Sequence, residues 1–290
     1  MKVGIFGNTY QTGKQQIFKT LFEALSRTEA EIWVEKHFYN YLSKQFSPAP
    51  KVMGLLTHEP FPLDMVISLG GDGTFLRAAC WVNNQLIPIL GINTGRLGFL
   101  ADINIDEIEE TIQELTRGEY RIEERSVLKF EKDTLSGCSY ALNEVAILKR
   151  DSSSMINIQT FLDGDFLADY LADGLLIATP TGSTAYNLSV NGPIIFPQSN
   201  NFVLSPVASH SLNMRPLVIP ETSKLTFKVK SRNRNFLVSL DGRSEVLHSG
   251  SEFNIEKADF PIRIIKRNNQ SFYETLRRKL YWGSDIRNEQ

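Results

Sequence analysis

Gly70-Gly71-Asp72-Gly73-Thr74 combines residue types that handle phosphate and protons: three glycines, a carboxylate and a hydroxyl. The preceding Met65-Val66-Ile67-Ser68-Leu69 is a short apolar run that predicts a buried strand. The following Phe75-Leu76-Arg77-Ala78-Ala79 has good helix formers and no breaker. A strand, a glycine-rich turn and a helix start put backbone N–H groups where they can cradle phosphate. Asp72 does not suit a simple anion cradle, because a carboxylate repels phosphate. It reads either as a helix cap or as a base, a hydroxyl binder or a metal partner.

A second cluster lies mid-chain, where Ala172-Asp173-Gly174 leads into apolar Leu175-Leu176-Ile177-Ala178 and then Thr179-Pro180-Thr181-Gly182-Ser183-Thr184-Ala185-Tyr186. A strand followed by small polar residues, with a helix expected to start at Ser183 or Thr184, suits the binding of hydroxyls and phosphates. The same residues also fit a Pro/Gly turn with an ordinary N-cap. Asn143-Glu144 interrupts the apolar run of Leu142 and Val145-Ala146-Ile147-Leu148. A strand sends adjacent residues to opposite faces. The pair therefore marks a strand end or bulge, or reaches a polar ligand; a carboxylate and an amide suit ribose hydroxyls.

Other candidates are weaker. Gly7-Asn8-Thr9-Tyr10-Gln11-Thr12-Gly13-Lys14-Gln15 departs from a P-loop twice: five residues separate its glycines, and Gln15 replaces the hydroxyl that would hold Mg²⁺. His37, His58, His210 and His248 have no metal-ligand spacing. Cys80 and Cys138 form no framework and read as buried thiols of a reducing compartment.

The elements that must position these residues change character along the chain. Val3–Phe6, Glu31–Glu35, Met65–Leu69 and Leu86–Ile92 read as strands, alternating with helical patterns at Gln15–Arg27 and Asp106–Thr116. That alternation implies a parallel sheet with ligands at the carboxyl ends of its strands. From about Ile122 the pattern is β: Ser126–Glu131, Ala141–Lys149, Ile156–Leu162, Leu175–Thr179, Phe202–Pro206, Leu225–Lys230, Phe236–Leu240, Glu252–Glu256 and Ile262–Lys266. Asp163-Gly164 and Asp241-Gly242 mark turns, and Phe272–Tyr281 is helical again. The fold expected is an N-terminal Rossmann-like α/β domain, residues 1–121 completed by 267–290, and a β-rich, sandwich-like domain, 122–266, with a cleft between them. The C-terminal helix returns to the first domain.

The 290-residue chain carries a formal net charge of −2, which gives no polyelectrolyte signal for nucleic acid or an anionic membrane. No apolar run approaches the roughly 20 residues of a membrane span, and the N-terminal apolar run is too short for a signal peptide. A cytoplasmic protein is expected.

Taken in order, Gly70–Thr74, Gly91-Ile92-Asn93-Thr94-Gly95-Arg96-Leu97-Gly98-Phe99-Leu100, Asn143-Glu144, Asp173-Gly174 and Thr179–Tyr186 resemble the NAD kinases. The likeness runs from about Met65 to Gly242. It implies phosphoryl transfer from ATP, or another donor, to the adenosine 2′-hydroxyl of NAD, giving NADP, and a homo-oligomer, dimer or tetramer. It implies that Asp72 accepts the hydroxyl proton, that Gly73 lies beside it, and that Arg77 faces phosphate from the first helical turn. Asn143 and Glu144 correspond to a ribose-binding pair, and Asp173 to a dinucleotide-contacting carboxylate. Thr184, Ala185, Tyr186, Asn187, Leu188 and Ser189 line the adenosine site, with Ala208 in the same pocket and Phe99 an aromatic contact for adenine. A divalent cation, Mg²⁺, is expected on the nucleotide phosphates, with no protein ligand assigned. The Asp-bearing loop alone also occurs in diacylglycerol and sphingosine kinases, so a lipid kinase is one alternative and a non-catalytic nucleotide-binding regulator another.

Overall fold

The computed structural model describes residues 1–9, 15–57, 61–95, 97–131, 138–150 and 154–283. Residues 10–14 of the P-loop-like segment, His58 and Arg96 lie outside them. The chain forms two compact units, one made of Met1–Glu124 with Arg263–Gln290, the other of Arg125–Ile262.

The first unit begins β1 (Lys2–Gly7), α1 (Gln15–Ser26), β2 (Glu31–Glu35), α2 (Lys36–Gln45), β3 (Gly54–Leu56), β4 (Met65–Gly70), α3 (Asp72–Val82), β5 (Ile89–Asn93), α4 (Ile108–Arg117) and β6 (Tyr120–Arg125). Every residue of β4 and β5 is buried, as expected of strands covered on both faces. β5 starts later than the sequence pattern suggests. Leu86 adopts a left-handed φ of 58° and Pro88 offers no N–H, so the ladder begins only at Ile89.

The second unit contains β7 (Leu128–Glu131), β8 (Tyr140–Ala141), β9 (Glu144–Lys149), β10 (Ile156–Leu162), β11 (Asp165–Ala172), β12 (Gly174–Ala178), α5 (Tyr186–Ser189), β13 (Asn201–Val207), β14 (Leu217–Pro220), β15 (Leu225–Lys230), β16 (Asn235–Leu240), β17 (Arg243–His248) and β18 (Glu252–Lys257). They build two six-stranded sheets, ordered β11-β10-β15-β18-β7-β8 and β14-β13-β12-β9-β16-β17. Alternate residues of both sheets share one core: Leu128 and Phe130, Phe227 and Val229, Phe253 and Ile255 from the first; Val145 and Ile147, Leu175 and Ile177, Phe236 and Val238 from the second. This is a β-sandwich.

The chain then returns to the first unit as β19 (Ile262–Arg267) and α6 (Phe272–Leu280). The completed seven-stranded sheet is ordered β3-β2-β1-β4-β5-β19-β6, with parallel pairing from β3 through β19. The order reverses at β1 and β4, which creates the crevice at the carboxyl ends of these strands where α/β folds bind ligands. Arg267, 2% exposed, locks the returning strand to Glu107, Glu110 and Glu114 at 3.2, 2.5 and 2.6 Å. Its guanidinium holds the Glu114 carboxyl below its usual range, chiefly through the hydrogen bond between them.

Candidate functional site

In the first unit, the glycine-rich loop sits at that reversal. Gly70 ends β4 with no room for a side chain, since a Cβ would meet Thr74 Oγ1 at 2.3 Å. Asp72 is the first residue of α3, but it is not the cap; Gly71 occupies that position without a side-chain bond. The Asp72 carboxylate instead accepts three consecutive backbone N–H groups. Leu100 and Ala101 donate to Oδ1 at 3.1 and 3.0 Å, and Phe99 donates to Oδ2 at 3.1 Å. The approach is close enough to require glycine at 98, where a Cβ would fall 2.0 Å from Oδ1. Lys279 of α6 places Nζ 3.5 Å from Oδ2 and 4.4 Å from the centre of the Phe99 ring, and Phe272 packs on the same ring.

Gly73 is exposed and open on its Cα side. Arg77 is in the second turn of α3 rather than the first, because the helix already starts at Asp72. Its Nη2 donates to the carbonyl of Gly7, at the end of β1, at 2.8 Å. Next to the amides that hold Asp72, Asp102 pairs with Lys266 at 2.5 Å, both buried. Burial pushes the Asp102 carboxyl up against the pull of Lys266. Cys80 and Cys138 are half-buried, unbridged thiols rather than buried ones; Cys80 flanks the buried Ala78 and Ala79 of α3, and Cys138 precedes a two-residue strand.

In the second unit, the predicted strand from 141 to 149 is divided. β8 ends at Ala141 in one sheet and β9 begins at Glu144 in the other, so Asn143-Glu144 stands at the crossing between them. The crossing is held by Asp241, a residue the sequence pattern marks only as half of a turn. Asp241 and Gly242 take φ of 47° and 82° in the β16–β17 hairpin, both left-handed. That turn aims the Asp241 carboxylate at the N–H groups of Leu142, Asn143 and Glu144, at 2.8, 2.8 and 3.1 Å. Burial raises the Asp241 carboxyl, and these amides oppose the rise.

Glu144 is 9% exposed and its Oε2 has no hydrogen-bond partner. Burial first, and the charge of Asp241 second, push its carboxyl up to about 8, against a hydrogen bond from the backbone N–H of Tyr186. Asn143 is equally buried. The Thr179–Gly182 turn packs on its backbone: Thr179 N–H donates to Asn143 O at 2.9 Å, and a Cβ at Gly182 would meet that oxygen at 2.0 Å.

Thr181–Thr184 forms one 3-10 turn, and α5 that follows has only four residues. The expected helix N-terminus is therefore not built, because Ala185 between them leaves the helical region (φ −99°, ψ −129°). Thr184, Ala185 and Leu188 are half-buried, and Tyr186 and Ser189 exposed. Asn187 is fully buried. Its amide donates to Ser183 O and Pro193 O and accepts from Ser205 Oγ, so it fixes the segment. Asp173 pairs with Lys149 at 2.6 Å and its N–H bonds to Val207 O, beside the exposed Ala208 (φ 44°). The β12–β9 register puts Asp173 and Ala208 at one end of β12 and Glu144 at the other.

Comparison with known proteins matches residues 3–120 to the ATP-NAD kinase N-terminal domain family and residues 142–267 to the ATP-NAD kinase C-terminal domain family. The chain is 53% identical over 289 residues to a NAD kinase of Bacteroides fragilis, covering 99% of this chain and 100% of that one. It is 46% identical over 286 residues to a NAD kinase of Porphyromonas gingivalis, covering 99% of each. Among solved structures it is similar to yeast NADH kinase complexed with NADH, with a TM-score of 0.87, 26% identity and coverage of 100% of this chain and 90% of that one. It is also similar to a NAD kinase from Archaeoglobus fulgidus in complex with ATP, with a TM-score of 0.76, 26% identity and coverage of 97% and 99%.

Proposed function

The chain belongs to the NAD kinase family, and we propose that it transfers the γ-phosphoryl group of ATP, or of another phosphate donor, to the adenosine 2′-hydroxyl of NAD, giving NADP. The observation that carries this reading is the Asp72 carboxylate: it is oriented by three amides at the switch point of the sheet, and it is not consumed as a helix cap. A hydroxyl donating to Oδ2 gives its proton to Asp72 as its oxygen bonds to phosphorus, and the donor's bridging P–O bond breaks with the electron pair leaving on the nucleoside diphosphate. Positioning and charge neutralisation supply most of the rate in such a transfer.

Asn143 and Glu144 take ribose hydroxyls. The orphaned Oε2 of Glu144 favours this role, since a buried oxygen without a partner accepts a hydroxyl gladly. Gly73, with open space above it, lets phosphate approach the backbone, and Arg77 adds positive charge. Asp173, Thr184, Ala185, Tyr186, Leu188, Ser189 and Ala208 contribute dinucleotide contacts, with Asn187 holding that segment in place. Residues 1–121 with 267–290 are the nucleotide-binding domain, and 122–266 the NAD-binding domain.

A divalent cation arrives on the nucleotide phosphates and neutralises their charge. Mg²⁺ takes phosphate oxygens and waters and needs one or two carboxylates at most.

The protein acts as a homo-oligomer, a dimer or tetramer. Two features favour this: Asp173 and Ala208 lie a strand's length from Glu144, and the edge strand β14 exposes Leu217 and Val218. Among the described residues no helix is long and apolar enough to cross a membrane, and we place the reaction in the cytoplasm. The lipid-kinase and regulator alternatives find no support in the matched relatives. Incubation of the purified protein with Mg-ATP and NAD is expected to form NADP. NAD binding without product would instead favour the regulator, and labelled lipid the lipid kinase.

A further inference from the structure

The Asp72 carboxylate has one hydrogen-bonding position left. Each carboxylate oxygen offers about two lone-pair sites. Both sites of Oδ1 are filled by Leu100 and Ala101, and Phe99 fills one on Oδ2. Oδ2 keeps one site, and the Nζ of Lys279 stands 3.5 Å from that oxygen, beyond a good hydrogen bond and so held by charge. The ammonium of Lys279 lies over the Phe99 ring, 4.4 Å from its centre, and Phe272 of α6 packs on the same ring. Its side chain is 29% exposed, so the ammonium is reachable from solvent yet partly desolvated.

Resting on the reading that Asp72 accepts the proton of the attacking hydroxyl, we propose that Lys279 is a further catalytic residue, the cation that receives the transferring phosphoryl group. A hydroxyl that gives its proton to Asp72 must occupy the free site on Oδ2, which puts its oxygen, and the phosphorus bonding to it, beside the Lys279 ammonium. Without substrate the lysine rests on Asp72. With the hydroxyl in that place, its N–H groups turn to the equatorial oxygens of the phosphoryl group, where negative charge gathers in the transition state. Lys279 keeps its proton throughout. The hydroxyl proton goes to Asp72, and the leaving electron pair stays with the donor nucleotide. The lysine also answers the problem posed by the carboxylate: a lone Asp72 would repel the phosphate it must work beside, and an ammonium at 3.5 Å cancels that field locally.

Lys279→Ala and Lys279→Arg separate this role from simple anchoring of α6. Lys279→Ala is expected to lower kcat by about 10²–10³-fold, the loss typical of one transition-state donor, with the KM for NAD within about threefold of wild type. Lys279→Arg is expected to restore most of the rate, and the thermal midpoint of both variants to stay near that of wild type. Wild-type kcat in Lys279→Ala would overturn the proposal. So would a loss that Lys279→Arg leaves unrepaired while the thermal midpoint falls, since that outcome marks an anchor. Failure of the wild-type protein to form NADP would instead overturn the reading beneath it, and both failures are visible in the same assay.

Discussion

Asp72 in the first unit and Asp241 in the second are built with the same device and put to opposite uses. Each carboxylate accepts three consecutive backbone N–H groups, from residues 99–101 and 142–144 respectively. Asp72 keeps an open site on Oδ2 and a lysine opposite it, so the amide rack presents the carboxylate. Asp241 has its charge disfavoured by desolvation, so the carboxylate presents the rack, fixing the Asn143-Glu144 crossing between two sheets. What an amide-bound carboxylate does is thus decided by the bonds left over after its structural ones are made.

The largest expected effect tests the first half of that contrast. Asp72→Asn removes the proton acceptor while keeping the size, and turns its NH2 toward part of the amide rack. It is expected to lower kcat by about 10²–10⁴-fold, with NAD affinity roughly intact. Steady-state kinetics with direct titration of NAD checks this, and a variant with full turnover would remove the base assignment. The second half predicts the reverse split. Asp241→Ala leaves three buried amides without their acceptor, each worth about 1–3 kcal/mol when unsatisfied. The crossing should loosen, raising the KM for NAD by about 10–100-fold, with a smaller change in kcat and a lower thermal midpoint. Equal losses in kcat for the two variants would erase the difference between the sites.

The sequence made one of these sites far more legible than the other. The strand-loop-helix around Asp72 is local, and its glycines, β-branched run and helix formers announce it within fifteen residues. The alternating strands of the second unit are equally readable, because one buried face imposes a period of two. What escapes is whatever topology brings together. Lys279 reaches Asp72 only because β19 carries the chain back into the first sheet, and Asp241 reaches Asn143 only because β16 pairs with β9. No local spacing encodes either contact. The short α5 escapes for another reason: Ser183 and Asn187 have helix-start chemistry, but both spend it on internal bonds to Ile195, Pro193 and Ser205. α2 goes unseen because its aromatic residues do not spell a clear stripe; only Phe38 and Leu42 are buried.

The smallest expected effect sharpens what Asp241 imposes on its neighbour. In the unfolded chain Glu144 ionises in the ordinary range near 4.5, whereas in the fold burial and the Asp241 charge push it up to about 8. Between those values the native state binds the proton and the unfolded state does not, so stability must fall as pH rises. The contribution is complete below about 4.5 and gone above about 8. Glu144→Gln carries no charge at any pH and removes this slope. Thermal melts should therefore place Glu144→Gln above wild type at pH 9, and level with it or slightly below at pH 5. The gain at high pH should be of order 1–2 kcal/mol, a discounted share of the 1.36 kcal/mol per pKa unit, because the surroundings relax around the ionised carboxylate. A Glu144→Gln protein that keeps the wild-type slope would mean that Glu144 is ionised in the fold, and that Asp241 holds the crossing without forcing its neighbour to stay neutral.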